Sequence, residues 1–263
     1  MEIKIRSKRG TDIPLSVFES ENGNGLLLFA HSFKSDRSEN GRFDKTAKLL
    51  NEYGWNAVSL DFPGNGESEE AFSVYSLRNC LDDMENAYAY MKETYPLDET
   101  KLALLGYSMG GRLISLFFEK HHEFNNLVFW AACNESYTWN DRFLEQDLLQ
   151  LKKDCQGSGY CDFYDFFDDV YERMSEDFID DLVEQDALEP LHPFSGRALI
   201  IQGDADSTID PDNAELIYDS LKFAETRRIC WIHDADHGFG LWDGRREDSD
   251  RLIAETVRFL KEA

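Results

Sequence analysis

Gly106-Tyr107-Ser108-Met109-Gly110 sits between two runs that read as regular structure. Lys101-Leu102-Ala103-Leu104-Leu105 before it reads as a buried strand, and Gly111-Arg112-Leu113-Ile114-Ser115-Leu116-Phe117-Phe118 after it reads as a helix. A strand, then Gly-x-Ser-x-Gly, then a helix is the sequence form of a nucleophile elbow. Side chains two before and two after the serine would clash in so tight a turn, and the glycines at 106 and 110 remove them. Ser108 is then presented at the strand's carboxyl end with the positive end of a helix behind it. The five-residue pattern alone is common. The strand and helix around it give it weight.

A serine hydroxyl is a weak nucleophile at neutral pH and needs a histidine as general base. The chain has six histidines. His121 and His122 are expected to close the helix after the elbow, where basic residues suit the helix dipole. His192, between Leu191 and Pro193, reads as a linker residue, and His31 follows the strand Leu26-Leu27-Leu28-Phe29-Ala30. His233 and His237 flank Asp234-Ala235-Asp236 after the strand Ile229-Cys230-Trp231-Ile232. His237 is the better base, because it lies in a loop past the last strand that can reach the elbow, whereas His233 reads as a strand-end residue. The pair has the i, i+4 spacing of some zinc sites, but those sit on helices and this segment is a polar turn, so no metal is expected.

The imidazole needs an acid to fix its tautomer. The strand Ala198-Leu199-Ile200-Ile201 leads into Gln202-Gly203-Asp204-Ala205-Asp206-Ser207-Thr208-Ile209-Asp210, where three aspartates compete. Asp206 is the favoured acid, in a loop that should project over the sheet's end. Asp204, nearer the strand, reads as a turn brace and is the alternative. Asp210, before Pro211, reads as the cap of the helix that starts near Asp212. The chain order is then Ser108, Asp206, His237. The oxyanion hole needs two backbone N–H groups. Met109, after the nucleophile, should give one, and Phe33, in the loop His31-Ser32-Phe33-Lys34-Ser35-Asp36, the other, with His31 shaping that loop. The turn Asp61-Phe62-Pro63-Gly64-Asn65-Gly66-Glu67-Ser68 is expected to wall the site without taking part in chemistry.

These segments, with Asp236-His237-Gly238-Phe239, span nearly the whole chain. Together they resemble the serine hydrolases of the α/β-hydrolase fold, and within them the bacterial feruloyl (cinnamoyl) esterases and related small carboxylesterases. The resemblance implies an α/β fold with a mostly parallel eight-stranded sheet flanked by helices. It implies a core of residues 1–133 and 193–263 and a cap insert, 134–192, between the sixth and seventh strands. One departure stands out. Such enzymes usually carry His-Gly where this chain has His31-Ser32, so a Cβ and a hydroxyl stand beside the oxyanion donor.

Composition fits this reading. A chain of 263 residues, 42% hydrophobic and 13% aromatic, can bury one sizeable core. Glu2–Arg6 and Ile13–Phe18 read as an antiparallel edge hairpin across Arg9-Gly10-Thr11-Asp12. No apolar run approaches the roughly 20 residues of a membrane span. The N-terminus is charged and has no signal core. Cys80, Cys133, Cys155, Cys161 and Cys230 form an odd set that suits free thiols and a cytoplasmic location.

A net charge of −25 disfavours nucleic acid, anionic lipid surfaces and polyanionic substrates such as coenzyme A thioesters. Residues 134–192 hold seventeen acidic and four basic residues, net −13, so this segment supplies over half of that charge. It also carries Tyr137, Trp139, Phe143, Tyr160, Phe163, Tyr164, Phe166, Phe167, Tyr171 and Phe178. Part of this set is expected to pack on the main domain and part to line an acyl pocket. The expected activity is hydrolysis of a small carboxylic ester, hydroxycinnamoyl or short-chain aryl or alkyl, without cofactor, nucleic-acid or membrane partner, and with room for a homodimer. An acylglycerol lipase, a serine aminopeptidase or a thioesterase would use the same residues. A non-catalytic binding protein of this fold is the remote alternative.

Overall fold

The structure, a computed structural model, describes residues 1–263 except 22, 166–168 and 243. The chain opens with the expected hairpin, β1 (Glu2–Arg6) and β2 (Asp12–Phe18), in which Ile3 lies opposite Leu15. Strands and helices then alternate through β3 (Gly25–Ala30), α1 (Arg42–Asn51), β4 (Trp55–Leu60), α2 (Leu77–Thr94), β5 (Leu102–Tyr107), α3 (Met109–Phe118) and β6 (Asn126–Trp130). An insertion follows, with the short pair β7 (Arg142–Phe143) and β8 (Gln146–Asp147), α4 (Leu148–Cys155), the hairpin β9 (Tyr160–Asp165) and β10 (Val170–Ser175), and α5 (Glu176–Glu184). The main fold resumes with β11 (Arg197–Gly203), α6 (Asp212–Ser220), β12 (Thr226–Ile232) and α7 (Arg246–Leu260).

Eight strands form one sheet in the order β1-β2-β4-β3-β5-β6-β11-β12. The β1–β2 and β2–β4 pairs are antiparallel, and all the others are parallel. The sixth and seventh strands of this sheet are β6 and β11, so the insertion falls where the sequence placed it. A parallel strand covered on both faces must be apolar at every position. β3 shows this, since all six of its residues are buried. Leu27 and Phe29 point to one side, in a cluster with Phe43, Ala47 and Leu50 of α1 and Leu252, Ile253 and Phe259 of α7. Leu26, Leu28 and Ala30 point to the other, with Met84 and Ala87 of α2 and Leu113 and Ile114 of α3. Two indoles fasten α7: Trp130 Nε1 donates to Thr256 Oγ1 at 2.9 Å and Trp55 Nε1 to Leu260 O at 3.2 Å.

One expectation about α3 fails. The helix ends at Phe118, so His121 and His122 lie beyond it and do not close it. Two carboxylates hold the His121 ring, Glu85 at 2.8 Å and Glu123 at 3.1 Å, while the ring stacks on Phe117. Side-chain partners from α2 and the following turn, rather than the helix's last carbonyls, set its place.

The insertion does not form a core of its own. Phe143, Phe163 and Phe178 belong to the same apolar cluster as Phe72, Tyr75 and the sheet residues beneath. Phe166 and Phe167 lie outside the described residues. Tyr171, on β10, is 74% exposed, so the outer face of the hairpin takes no part in this packing. Among the described residues no helix is long and apolar enough to cross a membrane.

Candidate active site

Parallel strands gather the loops at their carboxyl ends on one side of the sheet. Those loops, after β3, β5, β6, β11 and β12, bring the candidate residues together. The elbow is as tight as the sequence requires. Ser108 has φ 52° and ψ −117°, a conformation costly for a residue with a side chain. A Cβ on Gly106 would lie 2.2 Å from Gly110 O, and one on Gly110 would lie 2.0 Å from Ala30 O. Larger residues at either position would push the turn open. The Ser108 N–H donates to Trp130 O at 2.8 Å, which ties the elbow to β6.

The Ser108 Oγ is 3.1 Å from His237 Nε2, and His237 Nδ1 is 2.7 Å from Asp206 Oδ2. All three residues are buried. With Nδ1–H donating to the carboxylate, the Nε2 lone pair faces the serine hydroxyl, the tautomer a general base needs. Asp206 is held by more than the imidazole. Gln202 Nε2 donates to Oδ2 at 3.0 Å, and the Thr208 and Ile209 N–H groups donate to Oδ1, each at 2.9 Å.

The competing aspartates have other work. Asp204 accepts from His233 Nδ1 at 2.8 Å and from the Asp234 N–H at 2.7 Å, which is the turn brace expected of it. Asp210 accepts the Asp212 N–H at 3.0 Å at the start of α6. His233 and His237 therefore serve different places. Exposed Asp204, His233 and Asp234 bring three donor atoms within 4.8 Å of one another, and His237 is not among them.

The loop after β3 is tied down residue by residue. His31 Nδ1 donates to Ser32 O at 2.7 Å, and the Phe62 N–H donates to His31 Nε2 at 3.1 Å. Both ring nitrogens are thus engaged as in a neutral imidazole. Burial pushes the His31 pKa below its ordinary value, against the opposing pull of Glu39 and Asp61. The Ser32 N–H donates to Glu39 Oε1 at 2.6 Å, so the serine in place of glycine leaves the loop's backbone anchored. Phe33 and Met109, the two expected oxyanion donors, both border the cavity at Ser108. Met109 opens α3, where the first amides lack a partner four residues back.

The Asp61–Ser68 turn departs from expectation, because none of its residues borders the cavity. Its Asp61 carboxylate accepts the Arg37 N–H at 2.7 Å and the Glu67 N–H at 2.9 Å, and pairs with the Arg37 guanidinium. It supports the loop after β3 from behind rather than walling the site.

Several contributors carry no motif. Buried Arg42 donates to Gly238 O at 2.9 Å and lies over the Tyr107 ring at 4.7 Å. It also pairs with Glu39, the carboxylate that holds Ser32. Tyr107 and Trp242 flank the His237 ring at centroid distances of 5.5 and 6.0 Å. In the sequence Glu39 and Arg42 are only two charged residues three apart, and Glu39 precedes α1 with a left-handed backbone.

The cavity above Ser108 is about 520 Å³. Tyr137 and Phe143 of the insertion border it, as do Leu241 and Trp242. Phe163 and Phe178 do not border it. The insertion's aromatics thus divide, as expected, between wall and packing.

The sheet order, the elbow and the Ser-His-Asp relay make this chain a protein of the α/β-hydrolase fold. Residues 24–137 match the family model described as serine aminopeptidase, S33. No curated protein sequence matches the chain. Among solved structures it is similar to Est1E of Butyrivibrio proteoclasticus with ferulic acid bound, at 14% identity and TM-score 0.75, covering 98% of this chain and 99% of that one. It is also similar to the esterase EaEST of Exiguobacterium antarcticum, at 19% identity and TM-score 0.68, over 98% and 100% of the two chains. The monoacylglycerol lipase of Paleococcus ferrophilus follows at 17% identity and TM-score 0.67, over 92% and 98%. At these identities the likeness carries the fold.

Proposed function

We propose that this protein is a serine hydrolase of small carboxylic esters. The observation that carries the reading is the continuous relay Ser108 Oγ, His237 Nε2, His237 Nδ1, Asp206 Oδ2 opening into one cavity. Ser108 attacks the ester carbonyl as His237 takes its proton. Asp206 holds the imidazolium, and the Phe33 and Met109 N–H groups hold the tetrahedral oxyanion. His237 then protonates the leaving alcohol, and later activates the water that releases the acid. No step calls for a metal or cofactor.

The substrate class rests on the walls. Tyr137, Phe143 and Trp242 offer aromatic faces to an aryl acyl group, which supports a hydroxycinnamoyl or short-chain aryl or alkyl ester. In this reading residues 134–192 are the cap of the site. Five free thiols suit a cytoplasmic enzyme. The acidic surface suits a neutral small-molecule substrate.

One observation favours a second reading. Glu135 borders the cavity, and its carboxylate accepts from the Asn213 amide at 2.6 Å, with no ion-pair partner among the described residues. An amine-bearing acyl group would supply one, as a serine aminopeptidase substrate does.

Labelling with a fluorophosphonate tests the chemistry, since only an activated serine is modified. Wild type should label and the Ser108→Ala variant should not. The variant should also lose more than about a hundredfold of ester turnover while keeping its fold. Turnover of methyl ferulate, p-nitrophenyl acetate, a monoacylglycerol and an aminoacyl anilide then separates the substrate classes. An unlabelled wild type overturns the serine-hydrolase reading.

A further inference from the structure

In the proposed reaction Phe33 gives its backbone N–H to the oxyanion, but its side chain belongs to another layer of the molecule. Three rings of the insertion close on it. Phe178 stacks at 5.5 Å and 18°, and Phe143 and Phe163 meet it edge-on at 5.3 and 6.1 Å. Phe72 and Tyr75, between β4 and α2, complete the cage at 5.4 and 5.6 Å. The next residue is also held by the insertion. Lys34 pairs with Asp165 at the end of β9, and its Nζ lies 2.7 Å from Glu172 Oε2 on β10.

The rest of the loop is held by its own residues and by the main fold instead. His31 is fixed by Ser32 O and the Phe62 N–H, Ser32 by Glu39, and Arg37 by Asp61. Phe33 and Lys34 stand between these anchors. Lys34 has φ 55°, the left-handed region that disfavours a residue with a Cβ. Such a backbone persists only where its surroundings over-determine it. Here those surroundings are Phe143, Phe163, Phe178, Asp165 and Glu172 of the insertion, together with Phe72 and Tyr75 of the main fold.

We propose that the insertion sets the position of the Phe33 N–H, so that Phe163, Phe178 and Glu172 are positioning residues for the oxyanion hole. This rests on the serine-hydrolase reading and deepens it. Phe163, Phe178 and Glu172 do not border the cavity, so they act on the reaction through Phe33 and Lys34 rather than through the substrate. The insertion then governs the chemical step as well as the shape of the pocket. A donor displaced from the oxyanion loses stabilisation of the transition state while ground-state binding is little changed.

The test uses the full-length protein with Phe163→Ala and Phe178→Ala, each beside its leucine counterpart, and Glu172→Gln. Rates on p-nitrophenyl acetate are divided by active sites titrated with a fluorophosphonate, so that lost protein is not read as lost chemistry. For the alanine variants kcat per site should fall about 10- to 100-fold while KM moves less than about threefold. The leucine variants should recover most of the rate. A trifluoromethyl ketone inhibitor, whose hemiketal oxyanion occupies the hole, should weaken in step with kcat/KM. Glu172→Gln leaves the aromatic cage intact and covers the case in which the alanine variants do not fold. It should lower kcat about two- to fivefold without lowering the melting temperature. Unchanged kcat per titrated site in the folded variants, or ketone affinity that does not follow the rate, overturns the proposal and leaves the serine hydrolase standing. A wild type without titratable sites overturns the underlying reading instead.

Discussion

The Tyr107 hydroxyl donates to the backbone carbonyl of His237 at 2.6 Å. The residue just before Ser108 thus holds His237, the proposed base, across a long stretch of chain. Burial pushes the Tyr107 pKa up, which keeps the O–H in place as a donor. Arg42 lies over the same ring and donates to Gly238 O, so the base loop is gripped at two successive carbonyls. His237 is therefore positioned from the turn at Ser108 and from α1 as well as by Asp206.

Asp206→Asn should leave His237 poorly oriented and lower kcat by about 10⁴-fold, because the amide can present an N–H where the imidazole needs an acceptor. Asp204→Asn touches only the exposed pairing with His233 and Asp234. It should leave kcat near wild type and change stability little. Steady-state kinetics of the two variants decide the point. A larger loss at 204 than at 206 would show that the wrong aspartate has been assigned.

Arg112 should matter to stability more than to chemistry. It is fully buried in α3 and donates to Glu135 O, Leu182 O and Gln185 O, which lie at both ends of the insertion. Arg112→Ala would leave those three carbonyls short of donors and open a cavity. Charge-assisted bonds of this kind contribute roughly 1.5–3 kcal/mol each and are not additive, so a total loss of about 3–5 kcal/mol is expected. Urea unfolding measures it. A loss under about 1 kcal/mol would mean that water replaces the guanidinium without difficulty.

His31 should make stability fall in mild acid. Its folded pKa lies below the ordinary value of 6.5 because the ring is buried. As pH falls through about 6.5, the unfolded chain takes up a proton that the native ring resists, so unfolding is favoured. The stability advantage of wild type over His31→Asn should be largest near pH 7.5 and shrink toward pH 5. Urea titrations of both proteins across that range give the difference directly. A pH-independent difference would show that the buried ring accepts its proton without penalty.

The parts of the site that could be read in the sequence are those carried by short segments at strand ends. Gly106 to Gly110 encode their own turn, and Asp206 and His237 follow strands whose apolar runs are plain. The parts that could not be read are made by residues distant in the chain. Nothing local to Phe33 says that Phe178 will stack on it, and Arg42 resembles any basic residue at a helix start until Gly238 O and the Tyr107 ring surround it. Gln202 looks like a strand end, yet it holds the Asp206 carboxylate. The Asp61 turn departs from its expected place for a related reason. Its glycines mark a tight turn correctly, but which neighbour the turn serves depends on Arg37 arriving from another loop.

The acyl pocket is best probed at one wall residue. Shortening residues 134–192 would remove the support of Phe33 together with the wall, so it would confound chemistry with recognition. Tyr137 disturbs Phe33 less, because it borders the cavity and reaches the cage only at its edge, where it meets Phe143 at 6.4 Å without touching the Phe33 ring. Its ring lies 5.4 Å from the Arg112 guanidinium and its hydroxyl 3.2 Å from Cys133 Sγ, which fix it as a wall. An aryl acyl group that loses an aromatic face gives up roughly 1.5–3 kcal/mol, whereas an acetyl group has little to lose. Tyr137→Ala should therefore lower kcat/KM for methyl ferulate about 10- to 100-fold more than for p-nitrophenyl acetate, at about 1.4 kcal/mol per tenfold. Tyr137→Phe keeps the ring and should keep the preference. Equal losses on both esters in a folded variant would make Tyr137 a support of the catalytic geometry. If wild type turns over p-nitrophenyl acetate but not methyl ferulate, the hydroxycinnamoyl substrate falls while the serine chemistry stands.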